Sequence, residues 1–326
     1  MAKPTTWGFP SEFQPRQDEV RFDLEAALDS VVLLRAEIPE NAFTASILGT
    51  ERFGNAVAIR DDGLVLTVGY LITEATSVWL TTRAGAVVPA HALAYDQATG
   101  FGLALPLGRL EVPAMERGTV AHVAEGDDVL VIGHGGRAHS LKAQVVARHE
   151  FAGSWEYLID DALFTAPAHP QWGGTALVGE DGQLLGIGSL LVQERDALGG
   201  QADQGNMFIP IDALEPILDD LLRLGRRAGP ARPWLGIYAI EAQGSVGVSG
   251  LAEGGPADRA GVREGDLLIE VGNERVSGLA DLFRKVWRLG PAGVEVPLTL
   301  SRKGALAHVR VRSIDRTDLL AKPKLH

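Results

Sequence analysis

The chain has 326 residues, 46% of them hydrophobic, enough for two or three packed cores at the usual ~100–200 residues per domain. It contains no cysteine, which excludes disulfides, thiolate chemistry and cysteine-ligated zinc. The net charge of −12 sits upstream: residues 1–230 carry 16 basic and 31 acidic side chains, whereas residues 231–326 carry 14 and 11, so the main body repels phosphate backbones and nucleic acid is not expected as a partner.

Residues 1–29 read as an N-terminal arm with Pro4, Pro10 and Pro15 and an aromatic cluster of Trp7, Phe9 and Phe13. The arm has no apolar stretch of the ~7–15 residues that a secretory leader needs, so a cytoplasmic location is expected, or a periplasmic one if a leader has been removed. No run approaches the ~18 apolar residues of a membrane span.

From residue 30 to about 210 short β-rich runs alternate with turn signals: 30–36, 54–59, 64–68, 77–81, 87–93, 128–132, 144–147 and 184–189. Asp61-Asp62-Gly63 and Glu180-Asp181-Gly182 are hairpin-type turns. Many short strands at this spacing predict an all-β barrel or sandwich arrangement, with a seam between two barrels near 106–117. Ile211, Leu214, Ile217, Leu218, Leu221 and Leu222 fall at helical spacing and predict a helix over 211–224. A Gly, Pro and Arg-rich linker follows at 226–233, and a second domain is expected over 234–315 with a tail at 316–326.

In that second domain, Pro256 opens a short helix, Gly261 ends it, Gly265-Asp266 turns the chain and 267–271 forms a strand. The run from Gly255 to Val271 resembles the PDZ domains of bacterial HtrA-type proteases. Upstream, Trp234-Leu235-Gly236-Ile237 is similar to the loop with which such a domain captures a peptide carboxylate through backbone N–H groups, the next strand then pairing with the peptide. The resemblance implies a helix over 279–289 as the other wall, with Leu282, Phe283 and Val286 as pocket or core; Trp234, Leu235, Gly236, Ile237, Leu282 and Val286 are the peptide-binding set it implies.

Residues 30–225 resemble the HtrA protease domain through Gly54-Asn55-Ala56-Val57, Tyr157-Leu158-Ile159-Asp160, the hairpin at 181–187 and Asn206-Met207-Phe208-Ile209-Pro210. The implied fold is all-β dominated: a chymotrypsin-like double β-barrel followed by an α+β PDZ domain. On the family's motifs the general base corresponds to Tyr70, the acid to Gly102 and the nucleophile to Gly173. These residues imply no catalytic set, so a non-enzyme is expected: an inactive HtrA-like protein that binds peptide or protein C-termini, regulating or scaffolding an active protease in protein quality control. The alternative is a serine endopeptidase with a relocated or partner-completed active site. A structural assembly subunit is the third class.

His169, next to the altered loop, is the one conceivable displaced base, with no serine partner identifiable; Ser154 and Ser189 are isolated. His134 and His139 lack a helical metal motif, and neither metal nor cofactor is expected. By resemblance the N-terminal aromatics pack protomers into a trimer, the other reading being a disordered or self-packed arm; a hetero-oligomer with an active relative is the alternative assembly. The loop 193–205, rich in glycine and charge, is read as mobile, either a surface for partners or simply a surface loop.

Overall fold

The computed structural model describes residues 7–193, 196–200 and 202–321. It is mostly β, with two barrels followed by a smaller mixed domain, as the sequence predicts. The first barrel comprises β1 (Val31–Glu37), β2 (Glu51–Ala58), β3 (Val65–Val68), β4 (Ser77–Thr81), β5 (Val87–Tyr95) and β6 (Phe101–Pro106), closed in the order β1-β2-β3-β6-β5-β4. The second comprises β7 (Asp128–Ile132), β8 (Ser140–Gly153), β9 (Tyr157–Ala166), β10 (Ala176–Val178), β11 (Leu184–Val192) and β12 (Gly205–Pro210), closed in the order β10-β11-β12-β9-β8-β7. Closure removes sheet edges and lets the inward side chains, among them Leu66, Leu103, Phe164 and Phe208, fill each core.

The third sheet contains β13 (Ile237–Ala242), β14 (Ser245–Leu251), β15 (Leu267–Val271), β16 (Glu274–Arg275), β17 (Glu295–Arg302) and β18 (Ala305–Arg312), in the order β13-β14-β15-β17-β18 with β16 on β15. The short helices are α1 (Leu24–Asp29), α2 (Ala45–Leu48), α3 (Leu218–Leu224), α4 (Pro256–Arg259) and α5 (Leu279–Arg288). Pro256 opens α4 where a missing N–H costs nothing, and Leu279, Leu282, Phe283 and Val286 put one face of α5 into the core of this domain.

Contacts divide the chain into two compact units. Among the described residues, one contains 7–149, 161–193, 196–200, 202–228 and 321; the other contains 150–160 and 229–320. Residues 150–160, which the sequence places inside the barrel domain, thus pack with the second unit.

Three elements differ from expectation for local reasons. The helix expected over 211–224 is a short 3-10 turn at Ile211–Ala213 followed by α3, because Pro216 has no N–H to continue the ladder. The 14-residue β8 extends well beyond the run seen at 144–147, since Ser140 and Lys142 interrupt the apolar signal before it and residues 148–152 after it are only partly buried or exposed. Helix α1, inside the arm read as polar, starts where Asp23 caps the Ala26 N–H at 3.1 Å. The expected partner loop 193–205 lies partly outside the described residues.

Candidate functional site

Asn55 organises the peptidase-like cleft. It stands just before the apolar run Ala56-Val57-Ala58 of β2, is 2% exposed, and every polar group of it is used. Its side-chain nitrogen donates to the carbonyls of Gln171 at 2.9 Å and Gly173 at 3.1 Å, while its side-chain oxygen accepts from the His134 N–H at 2.8 Å. Its backbone N–H also donates to Gly173 at 2.8 Å, and its carbonyl accepts from the Thr67 hydroxyl at 2.7 Å. Strand β2 of the first barrel thereby fixes the loop 170–174 of the second. Gly174 completes the fit: at φ +78°, an added Cβ would stand 1.8 Å from the Asn55 carbonyl oxygen.

A cavity of about 390 Å³ opens beside this loop, lined by Phe53, Gly54, Tyr70, Leu71, Trp172 and Gly173 among others. Phe53 and Leu48 leave its rim apolar, 55% and 39% exposed. The structure brings Gly173 against Tyr70 and places Gly102 against Gly69, the residue before Tyr70. A Cβ on Gly173 would lie 2.9 Å from the Tyr70 hydroxyl, which itself donates to the Ser189 carbonyl at 3.0 Å. Gly102 pairs with Thr67 across β3 and β6, and a Cβ there would meet the Gly69 Cα at 2.8 Å. Burial pushes the Tyr70 hydroxyl far above the ordinary phenol range, against an opposing hydrogen bond from the Trp172 side chain, so it stays protonated at any physiological pH.

His169 is placed differently from a displaced base. It is fully buried, its Nε2 lies 2.9 Å from the His139 carbonyl, and its Nδ1 accepts the Gln171 N–H at 3.1 Å. Both ring nitrogens therefore serve backbone groups, and the Gln171 N–H is turned toward the imidazole. Burial lowers this His169 to about 4, so the ring is neutral. Trp7 and Phe9 pack their edges on the same ring, with centroids 5.7 and 5.2 Å away, so these two aromatics of the arm cover their own barrel; Phe13 is 44% exposed. No group of side chains able to hold a metal occurs among the described residues.

The second site lies in the smaller unit. Leu235, Gly236 and Ile237 present successive N–H groups to one point, because Gly236 adopts φ +76° between them. That point is occupied by the Glu156 carboxylate, which accepts from Gly236 at 2.7 Å and from Leu235 and Ile237 at 3.1 Å. Such a concave run of N–H groups is an anion-binding nest. Trp234, 5% exposed, anchors the loop by pairing with Ile314. Leu282 and Val286, each 3% exposed, lie in one apolar cluster with Ile237, Phe283 and Leu158. Glu241 at the end of β13 accepts the Leu279 N–H at 2.8 Å and caps α5. Sequence reasoning missed Glu156 and the role of Asn55; the second had a legible signal, an amide at the head of the apolar run Ala56-Val57-Ala58.

Residues 54–187 match the model of the trypsin-like peptidase domain and residues 247–302 that of the PDZ domain. A protein of Chlamydia pneumoniae described as "Probable periplasmic serine endoprotease DegP-like" is 24% identical over 275 residues, covering 79% of this chain and 54% of its own. One with the same description from Brucella suis is 26% identical over 282 residues, covering 79% and 52%. The chain thus spans about half the length of these relatives. Among solved structures, the HtrA-type protease AlgW with tripeptide covers 93% of this chain and 99% of its own, with 18% identity and a TM-score of 0.53. A serine endoprotease from Yersinia pestis covers 91% and 99%, with 22% identity and a TM-score of 0.52.

The peptidase and PDZ folds expected from the sequence are present in the expected order. The expectation of a non-enzyme is corrected: proteins aligned over about four-fifths of this chain are serine endoproteases by name, and that expectation rests on three matched positions alone. The cytoplasmic expectation has no support from relatives described as periplasmic. No helix among the described residues is long and apolar enough to cross a membrane.

Proposed function

We propose that this chain is an HtrA/DegP-like serine endopeptidase that captures polypeptide C-termini through its PDZ domain, acting with a nucleophile other than residue 173. The observation that carries this reading is the order of the two domains, aligned with named endoproteases over most of the chain. The cleft beside Trp172 and Gly173 is the place where an extended substrate lies, its apolar rim of Leu48 and Phe53 favouring apolar side chains. Gly173 has no hydroxyl and His169 is committed to backbone groups, so the reading calls for a relocated nucleophile or one supplied by a second copy or an active relative. The periplasm named for the relatives is the compartment that this reading assigns.

In the PDZ unit the loop Trp234, Leu235, Gly236 and Ile237 takes the terminal carboxylate and β13 the peptide backbone, with Leu282 and Val286 beneath the last side chain. Purified protein treated with a fluorophosphonate probe, alongside a casein-degradation assay, tests the catalytic half. Labelling of one serine, mapped by mass spectrometry and lost together with cleavage when that serine becomes alanine, is the expected result. Neither label nor cleavage, with the chain alone or with an active relative, overturns it.

A further inference from the structure

The carboxylate in the nest belongs to the chain itself, and its surroundings reproduce more than one feature of a bound peptide. Glu156 stands at the turn between β8 and β9 with φ +61°, a left-handed conformation that non-glycine residues adopt at a cost and that here aims its side chain at the Leu235–Ile237 N–H groups. Two residues earlier, the Ser154 carbonyl accepts from the Ala239 N–H on β13 at 2.9 Å, the type of bond that an added strand makes. Two residues later, Leu158 is buried in the cluster that holds Ile237, Leu282 and Val286. At the base of the hairpin Arg284, on α5, pairs with both Glu150 and Asp160.

A hairpin needed only for packing would be held at lower cost by an apolar or amide side chain, because a buried carboxylate must be compensated for its lost hydration. We propose that the hairpin 150–160 is a built-in ligand that occupies the PDZ groove, and that a polypeptide C-terminus enters only by displacing it. The carboxylate, the strand-type backbone bond and the apolar anchor are each supplied in cis. This inference rests on the peptide-capture reading above and adds that capture is gated.

The test uses the full chain and two variants. Glu156→Ala removes the carboxylate; Arg284→Glu, at a half-exposed position, breaks the clamp without touching the nest. Hydrogen exchange reads the Leu235–Ile237 amides, and fluorescence anisotropy reads binding of N-terminally labelled random decapeptides, one pool with free C-termini and one amidated. In both variants amide protection falls at least tenfold; the free-acid pool binds at least tenfold tighter to Glu156→Ala and severalfold tighter to Arg284→Glu, and the amidated pool gains nothing. Should Glu156→Ala fail to fold, Arg284→Glu decides. Protection unchanged in the folded variants, or unmodified chain binding the free-acid pool as tightly as they do, overturns the gate and leaves peptide capture standing. Amides that open while no variant binds the free-acid pool overturn peptide capture and the gate together.

Discussion

The Asn55 side-chain nitrogen lies 3.1 Å from the Gly173 carbonyl oxygen, and this contact joins a strand of one barrel to the cleft loop of the other. With its partner bonds to Gln171 and His134, it makes a single amide responsible for the shape of the loop 170–174. Asn55→Ala leaves the Gln171 carbonyl and the His134 N–H short of a partner in a buried setting, while the Gly173 carbonyl keeps the backbone N–H of residue 55, at ~1–3 kcal/mol for each unsatisfied group. The expected loss is about 2–4 kcal/mol in urea unfolding, with faster hydrogen exchange at residues 171–174.

Gly174 and Gly173 are neighbours with different tolerances. A Cβ at residue 174 meets backbone oxygen at 1.8 Å and the position is left-handed, so Gly174→Ala is expected to abolish soluble folded protein. At residue 173 the obstacle is a side chain, the Tyr70 hydroxyl at 2.9 Å. Gly173→Ser is therefore expected to destabilise by about 1–3 kcal/mol, and Tyr70→Ala in the same chain to recover much of that loss. A double-mutant cycle by thermal unfolding measures the coupling; additive effects contradict it.

The first unit is expected to weaken in acid through His169. Its pKa is about 4 when folded against an ordinary value of 6.5, so the unfolded chain binds the extra proton first as pH falls. The stability it contributes is complete above about 6.5 and is lost as pH falls through about 4, a change on the order of 3 kcal/mol. Trp7→Ala opens the ring to water, and its NMR titration is expected to move upward by at least one unit. An unchanged titration removes the aromatic cover as the cause.

Glu156 gives the second unit the opposite response. Burial raises its carboxyl from 4.5 to about 7, against the hydrogen bonds of Ile237, Leu235 and Gly236 and the charge of Arg316; the Tyr238 hydroxyl senses both charges. Between those pH values the folded state holds the proton more firmly than the unfolded one. The contribution is full below about 4.5 and is lost as pH rises through about 7. Melting at pH 5 and pH 8 is compared between the unmodified chain and Glu156→Gln: the His169 response is common to both, and the loss of stability from pH 5 to pH 8 that Glu156 causes is expected as the difference between their pH profiles.

Much of this molecule is legible in its residues. An alternating run locates β4 and a continuous apolar one β7 to the residue, and Pro256, Gly261 and Gly265 frame the α4–β15 segment, because turn and cap chemistry is local. Strand β10 escapes such reading, since three residues carry no period, and Pro216 inside an apolar helical pattern was the signal that α3 begins late. The cleft loop could be found from its motif, but its fixation by Asn55 spans more than a hundred positions. Glu156 in Ser154-Trp155-Glu156-Tyr157 looks like any hairpin acid; only the tertiary fold shows that it faces the nest.

A ligand tethered to its own groove has a fixed effective concentration, in the millimolar range for a short connection, whatever the abundance of the protein. A free C-terminus must exceed that internal competitor, so the apparent Kd is the intrinsic Kd divided by the fraction of molecules in which the hairpin is out, and affinity falls in proportion. The strength of the Arg284 clamp and of Leu158 burial then sets a threshold written into the chain. Weak, ubiquitous chain ends fall below it, and only termini with superior side-chain contacts, or in local surplus, are admitted.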